Sequence, residues 1–267
     1  MRQVAWLASY PRSGNTWTRV LLASYLADAS MTSIASPEEA LDEAIPDIHV
    51  LLSAGRMIPF NEDGRPTIVK SHFLPDADLM QVHRSSTTKV IYLLRNPRDV
   101  LHSTIPHLGI GKEYAADYAK SFIENRGAPV WTEGWGTWLS SVREWSDPEN
   151  VSRHFPNAEL LVVRYEDLRA ETPQRLQMIL EFLDLGPVDP ARVRRAAENS
   201  SLRRMQATEQ ELVASGLIPA GQNRFVGEGL QNQSLASLGS DVEIAYQEML
   251  KKDEEFFEYV RRFKYEA

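Results

Sequence analysis

Residues Val4–Leu26 read VAWLASYPRSGNTWTRVLLASYL, and the architecture follows from how this string changes character. Val4–Ala8 is an unbroken apolar run. It stops at Tyr10-Pro11-Arg12-Ser13-Gly14, and apolar residues then return at helical spacing over Thr16–Leu26, at Trp17, Val20, Leu21 and Tyr25. The pattern is strand, loop, helix. A helix beginning at Asn15 or Thr16 leaves backbone N–H groups of its first turn unpaired and aimed into the loop. With the helix dipole, these groups suit a phosphate-like anion. Gly14 permits positive φ and close ligand approach. Ser13 and Thr16 add hydroxyls, and Arg12 adds a permanent positive charge. A tight turn ahead of a capped helix would use the same residues without any ligand, and local physics alone leaves both readings open.

The rest of the chain repeats the alternation. Thr67–Val69 is a short strand. Lys89–Leu94, KVIYLL, fits a strand buried on both faces. It ends at Arg95-Asn96-Pro97, and Pro97 suits the first turn of a helix running through about Ser103. Glu159–Arg164 is another buried-strand candidate. Further helices are predicted near 112–125, over Trp138–Trp145, from Thr172 or Pro173 to about Leu183, and over Pro190–Asn199, Asp241–Lys251 and Glu254–Phe263. Residues 30–65 read as irregular, 104–136 as a mobile or ligand-facing excursion, and 215–234 as loop. There is no internal repeat. The expectation is a single α/β domain over residues 1–267, a central parallel sheet flanked by helices, with variable segments near 30–65, 104–136 and 206–223. Ligands of such folds sit at the carboxyl ends of the strands.

Composition narrows the function. The chain has 267 residues, 43% hydrophobic and 25% charged, enough for a substantial core. No apolar run approaches the ~18–20 residues of a membrane span, and the N-terminus turns polar too soon for a signal peptide. With no cysteine there is no disulfide, thiolate zinc site or cysteine nucleophile. A cytoplasmic protein without a membrane partner is expected. The net charge of −8 argues against a nucleic-acid partner but allows a local site for one anion.

The loop at 10–17 is not a Walker A loop, because no Gly-x-x-x-x-Gly-Lys-Ser/Thr string exists in the chain. A Walker B strand ends in an aspartate that holds magnesium, whereas KVIYLL ends in Arg95, which binds an anion directly and repels a cation. A phosphorylated ligand without a metal is expected. No histidine pair has zinc-site spacing.

These strings resemble the motifs of sulfotransferases that use 3′-phosphoadenosine 5′-phosphosulfate (PAPS). YPRSGNTW at 10–17 resembles that family's P-loop-like 5′-phosphosulfate loop, and VIYLLRNPRDVLHS at 90–103 its 3′-phosphate motif. IVKSHFLP at 68–75 resembles the segment of the catalytic histidine. GTWLSSVREW at 136–145, LLVVRYEDLR at 160–169 and SSLRRM at 200–205 match further family segments in the family's order. The resemblance implies PAPS as donor, adenosine 3′,5′-bisphosphate (PAP) as product, and no metal. Arg12 takes the place of the loop lysine near the bridge between sulfate and phosphate. Ser13, Gly14, Asn15 and Thr16 would hold the 5′-phosphate, and Trp17 would stack on adenine. Arg95 and Ser103 would bind the 3′-phosphate. His72 would be the general base, with Lys70 a second positive group near the sulfuryl. Tyr165, Ser200, Ser201 and Leu202 would line the adenine site. In the late string RFVGEGL, Gly229 is kept, Gly227 and Glu228 stand where the family has Arg and Lys, and Arg224 would compensate.

Such a site performs metal-free in-line transfer of a sulfuryl group to a hydroxyl, phenolic or alcoholic, of a small molecule. ASYPRSGNTW and FVGEGLxxQSLxxLG look most like bacterial enzymes that tailor natural products, such as the glycopeptide-antibiotic sulfotransferases. That makes antibiotic biosynthesis the expected setting, and leaves a homodimer open. A non-catalytic nucleotide binder on the same fold is disfavoured by Lys70 and His72 together, and a P-loop kinase by the missing Gly-Lys-Ser/Thr. Among the other histidines, His49, His83 and His154 read as solvated or capping and His102 as packing, while His107 is a second candidate to face the acceptor. Trp131 and Trp135 read as a pocket wall and Trp138 as packing.

Overall fold

The computed structural model describes residues 2–29, 37–216 and 229–265. Four parallel strands, β1 (Val4–Ser9), β2 (Thr67–Ser71), β3 (Thr87–Leu94) and β4 (Glu159–Arg164), form one sheet in the order β2-β1-β3-β4. Ala8 pairs with Ser71 on one side and Tyr92 on the other, so the ends of β1, β2 and β3 lie level. All six residues of β1 are buried, as its unalternating apolar sequence requires of a strand covered on both faces. Trp6, Ala8, Val90, Tyr92 and Leu94 belong to one core and Ala5, Leu7, Ile91 and Leu93 to the other. This is the period-2 division of a pleated strand. Trp6 is fully buried, and its indole N–H donates to Thr87 Oγ1 at 3.0 Å.

β4 corrects one expectation. It pairs on one side only, as the edge strand: Glu159 is exposed and Leu160–Val162 are half-buried. An apolar string cannot distinguish an edge from a centre, because neighbour pairing is not written in it.

Two segments are more regular than their composition suggested. Within 30–65 lie the helices Pro37–Ala44 and Ile48–Ser53, the second capped by Asp47, whose carboxylate accepts from His49 N at 2.9 Å. Within 104–136 the helix begun at Pro97 continues to His107, and the helix expected near 112–125 is present as Ala115–Asn125, burying Ala119, Phe122 and Ile123 in the core. Two short turns, Pro129–Trp131 and Thr132–Trp135, return the chain to the sheet's carboxyl edge. The helix Leu202–Ala214 occupies much of the third variable segment, and residues 217–223 of it lie outside the described residues. The helices Pro148–His154 and Tyr165–Ala170 were also not anticipated. Asp99, fully buried on the helix Pro97–His107, accepts from Asn232 N and Gln233 N and so fastens the late segment beside β3. Among the described residues no helix is long and apolar enough to cross a membrane.

Candidate active site

A cavity of ≈ 280 Å³ opens at the carboxyl ends of β1, β2 and β3, lined by Arg12, Gly14, Thr16, Trp17, Lys70, His72, Arg95, Ser103, Tyr165, Leu202 and Gly229 among others. Residues separated by more than two hundred positions meet there because parallel strands end on one side.

The loop after β1 is shaped by two left-handed residues, Arg12 at φ 67° and Gly14 at φ 92°. Gly14 also lies under Tyr165, where a Cβ would stand 2.5 Å from the ring's Cδ2. The helix Asn15–Ala27 starts here with no side-chain cap, so its first N–H groups remain available. The polar side chains of the loop divide. Thr16 lines the cavity. Asn15 also borders the cavity, while its side-chain amide donates inward to Leu7 O at 3.0 Å and Ser9 Oγ at 3.1 Å and so ties the loop to β1. Ser13 is buried, and its Oγ has no hydrogen-bond partner among the described residues.

Two guanidinium groups face this loop. Arg95 follows β3, is 6% exposed, and makes no ion pair among the described residues. It donates to Arg12 O at 2.9 Å and Leu230 O at 2.8 Å, lies over the Tyr165 ring at 4.5 Å, and leaves Nε unpartnered. Arg12 donates from Nε to Ser103 Oγ at 3.0 Å. Burial and the neighbouring Arg95 push Arg12 down to about 10, and Glu209 on the helix Leu202–Ala214 acts against that shift. One buried cation, Arg95, and one half-buried cation, Arg12, with few counter-charges suit an anion, since burying a charge without a partner is costly.

His72 stands just beyond β2, half-buried. Its Nδ1 lies 2.8 Å from Ser9 O and 3.2 Å from Ser9 Oγ. A carbonyl oxygen only accepts, so Nδ1 carries the proton and Nε2 presents a lone pair. Burial, then the charge of Lys70, push the imidazole down to about 3. Lys70, two residues earlier, reaches the same cavity but is paired with the carboxylate of Asp47. Burial pushes the ammonium down while Asp47 works to keep it charged. The pairing with Asp47 thus offsets part of the positive charge that the sequence expected at Lys70. Asp47, from a remote loop, carried no sequence signal beyond capping.

Where the resemblance implies adenine, Trp17 meets Tyr165 edge-on at 5.8 Å, and its indole N–H donates to Ser200 O at 2.8 Å. Leu202 lines the cavity. Ser200 does not reach it with its side chain, which is fully buried with its hydroxyl directed at Val20 O at 3.4 Å. Ser201 is the residue before the helix Leu202–Ala214 and does not line the cavity. Met205 lines it and was not anticipated. Gly229 lines it at φ 63°, whereas Arg224, Gly227 and Glu228 lie outside the described residues.

Four rings, one of them in contact with Arg12, form an aromatic wall of the cavity. His107, Trp131, Trp135 and His72 follow one another at ring separations of 6.2, 6.3 and 5.3 Å. Trp138 packs inside, fully buried, donating to Arg95 O at 3.1 Å. His102 bonds Ser234 O and His154 faces Glu144, both away from the cavity lining. Among the described residues no cluster of His, Cys, Asp or Glu could hold a metal ion.

The chain is 26% identical over 229 residues to cytosolic sulfotransferase 12 of Arabidopsis thaliana, covering 80% of this chain and 65% of the relative. It is 27% identical over 233 residues to sulfotransferase 2B1 of Mus musculus, covering 84% and 63%. It thus spans just under two thirds of the length of these relatives. The fold is similar to that of mouse sulfotransferase SULT7A1 complexed with PAP, at a TM-score of 0.62 and 16% identity over 99% of this chain and 89% of the other. It is likewise similar to retinol dehydratase in complex with androsterone and inactive cofactor PAP, at 0.60 and 19% over 92% and 80%. With its strands, anion loop and basic strand end in this arrangement, and with residues 2–229 matching the family's sequence pattern, the chain belongs to the sulfotransferase domain family.

Proposed function

We propose that this protein transfers a sulfuryl group from PAPS to a phenolic or alcoholic hydroxyl of a small molecule. The observation that carries the reading is one cavity holding the buried guanidinium of Arg95 and the half-buried guanidinium of Arg12, an uncapped helix start and a histidine with a free Nε2 lone pair. The residues suit a bisphosphorylated nucleotide. Arg95 has a buried, unpartnered Nε, the Ser103 hydroxyl retains its proton to donate, and Trp17 with Tyr165 offers aromatic surface between the two anion sites. Arg95 and Ser103 hold the 3′-phosphate; Gly14, Thr16 and the first-turn N–H groups hold the 5′ end; Tyr165, Leu202 and Gly229 border the base.

When bound, the donor supplies an activated sulfuryl group on a phosphate leaving group. Arg12 and the helix start stabilise the charge that grows on that phosphate. His72 Nε2 takes the proton of the attacking hydroxyl, while Ser9 O holds Nδ1–H and so the ring's orientation. Lys70, charged in its pair with Asp47, favours the neutral and therefore basic form of His72. β3 runs into Arg95 and not into a carboxylate, which supports metal-free transfer.

Trp131 and Trp135 face an apolar, planar acceptor. The string FVGEGLxxQSLxxLG supports a natural-product acceptor, in the manner of antibiotic tailoring. A relative named as a cytosolic sulfotransferase supports a cytoplasmic location.

Thermal shift and transfer assays test the reading together. PAP without magnesium should raise the melting temperature, ATP with magnesium should do so less, and labelled sulfate should pass from PAPS to members of a panel of phenols and alcohols. Stabilisation by PAP with no transfer to any hydroxyl would favour a non-catalytic nucleotide binder, and no stabilisation by PAP would overturn the reading.

A further inference from the structure

His107 belongs to none of the phosphate-site strings, yet it touches Arg12, the cation of the loop. Its Nδ1 lies 3.2 Å from Arg12 Nη1. A guanidinium only donates, so Nδ1 must offer its lone pair, which places the imidazole proton on Nε2. The same guanidinium donates from Nε to Ser103 Oγ at 3.0 Å. Ser103 and His107 stand four residues apart on the helix Pro97–His107 and therefore share a face. One helix face thus presents two acceptors to two edges of one planar fork. A lysine at this position could be held by a single acceptor, whereas an arginine is oriented only when its plane is fixed at more than one edge.

The remaining contacts leave that fork little other guidance. Arg12 has a left-handed backbone at φ 67°, and Arg95 bonds its carbonyl oxygen rather than its side chain. His107 is itself held by its ring contact with Trp131 at 6.2 Å. Burial and the charge of Arg12 push His107 down to about 4, so it remains a neutral acceptor near neutral pH.

We propose that His107 is a positioning residue for Arg12: its Nδ1 lone pair, together with Ser103 Oγ, fixes the plane of the guanidinium and leaves the Nη2 edge to the anion at the 5′ end of the nucleotide. This rests on the donor reading above. It makes the Arg12–His107 pair a unit in which the arginine of the loop depends on a histidine of the acceptor wall.

Calorimetric titration with two probes separates this role from general stability. PAP carries the 5′-phosphate and adenosine 3′-monophosphate lacks it, so their affinity ratio reads the 5′ contacts alone. His107→Phe, which keeps a ring and loses the acceptor, should weaken PAP roughly tenfold, the loss typical of one hydrogen bond to a charged group. It should leave adenosine 3′-monophosphate unaffected. His107→Asn, whose Oδ1 can replace Nδ1, should restore most of the loss, and His107→Leu should repeat it should the larger ring perturb folding. In an Arg12→Ala background, His107→Phe should have no further effect. The proposal is overturned if His107→Phe binds PAP like the wild type, if both probes weaken equally, or if the loss persists without Arg12. A wild type that binds PAP no better than adenosine 3′-monophosphate would overturn the donor reading as well, whereas a wild type that discriminates beside an unaffected His107→Phe would remove the role of His107 alone.

Discussion

Gly14 and His72 carry separable duties, one of shape and one of chemistry. At Gly14 a side chain meets two obstacles, the backbone at φ 92° and the Tyr165 ring 2.5 Å from where Cβ would be. Gly14→Ala should cost ~1–3 kcal/mol of stability, as strained backbone positions do, and should weaken PAP by displacing Tyr165 from Arg95. Urea unfolding and nucleotide titration on the same preparation check both effects, and a variant normal in both would show that the loop relaxes freely. At His72 the proposed duty is the proton. His72→Ala should lower turnover by ~10²-fold or more, as loss of a general base does, with PAP affinity near that of the wild type because Ser9 and not the nucleotide holds the ring. If turnover survives, the base is a group other than His72.

Among the elements, the helix Pro97–His107 connects the parts of the site. Asn96 caps it, Arg98 pairs with Glu243, Ser103 and His107 hold Arg12, and Asp99 receives the late segment through Asn232 N and Gln233 N. Asp99 uses both carboxylate oxygens as acceptors, so Asp99→Asn must set an amide N–H against a backbone N–H. Leaving such a buried donor unsatisfied costs ~1–3 kcal/mol. Hydrogen exchange at Asn232 and Gln233 should then accelerate while β3 keeps its protection. Unchanged exchange at those two amides would mean that other contacts hold the segment. PAP should restore part of the protection, because Arg95 reaches Leu230 O from the same strand end.

For the molecule as a whole, the site makes stability depend on acid. The imidazoles of His72 and His107 are pushed from 6.5 down to about 3 and about 4, chiefly by burial. Between those values and 6.5 the unfolded chain binds protons that the folded chain refuses. Stability therefore rises with pH across this window, is fully present above about 6.5, and is lost as pH falls toward the folded values. His72→Gln should flatten the dependence between pH ~6.5 and ~4 while leaving the lower limb, where carboxylates such as Asp47 titrate, in place. Chemical denaturation of wild type and variant across that range checks the sign, and parallel curves would show that His72 protonates freely in the fold.

How much of this was legible in the residues depends on whether a feature is local. Strand, loop and helix from Val4 to Leu26, the basic end of β3 and the helices from Thr172 and Pro190 were all readable, because apolar period, proline and glycine act on neighbouring residues. The strings at 10–17, 68–75 and 90–103 also carried the family. The edge position of β4 and the inward turn of Asn15 were not readable, since each depends on which distant backbone lies alongside. Nor was the Asp47–Lys70 pair, which joins a capping residue to a strand twenty-three positions later, or the contact of Arg12 with His107, ninety-five positions apart. The amino-acid order alone determined the kind of site and the ligand charge it suits, because short strings create helix starts, glycine turns and fixed cations. How each histidine ring is hydrogen-bonded, which cation is offset and which rings line the cavity were settled by packing, because hydrogen-bond partners and burial are properties of groups that meet only once the chain has folded.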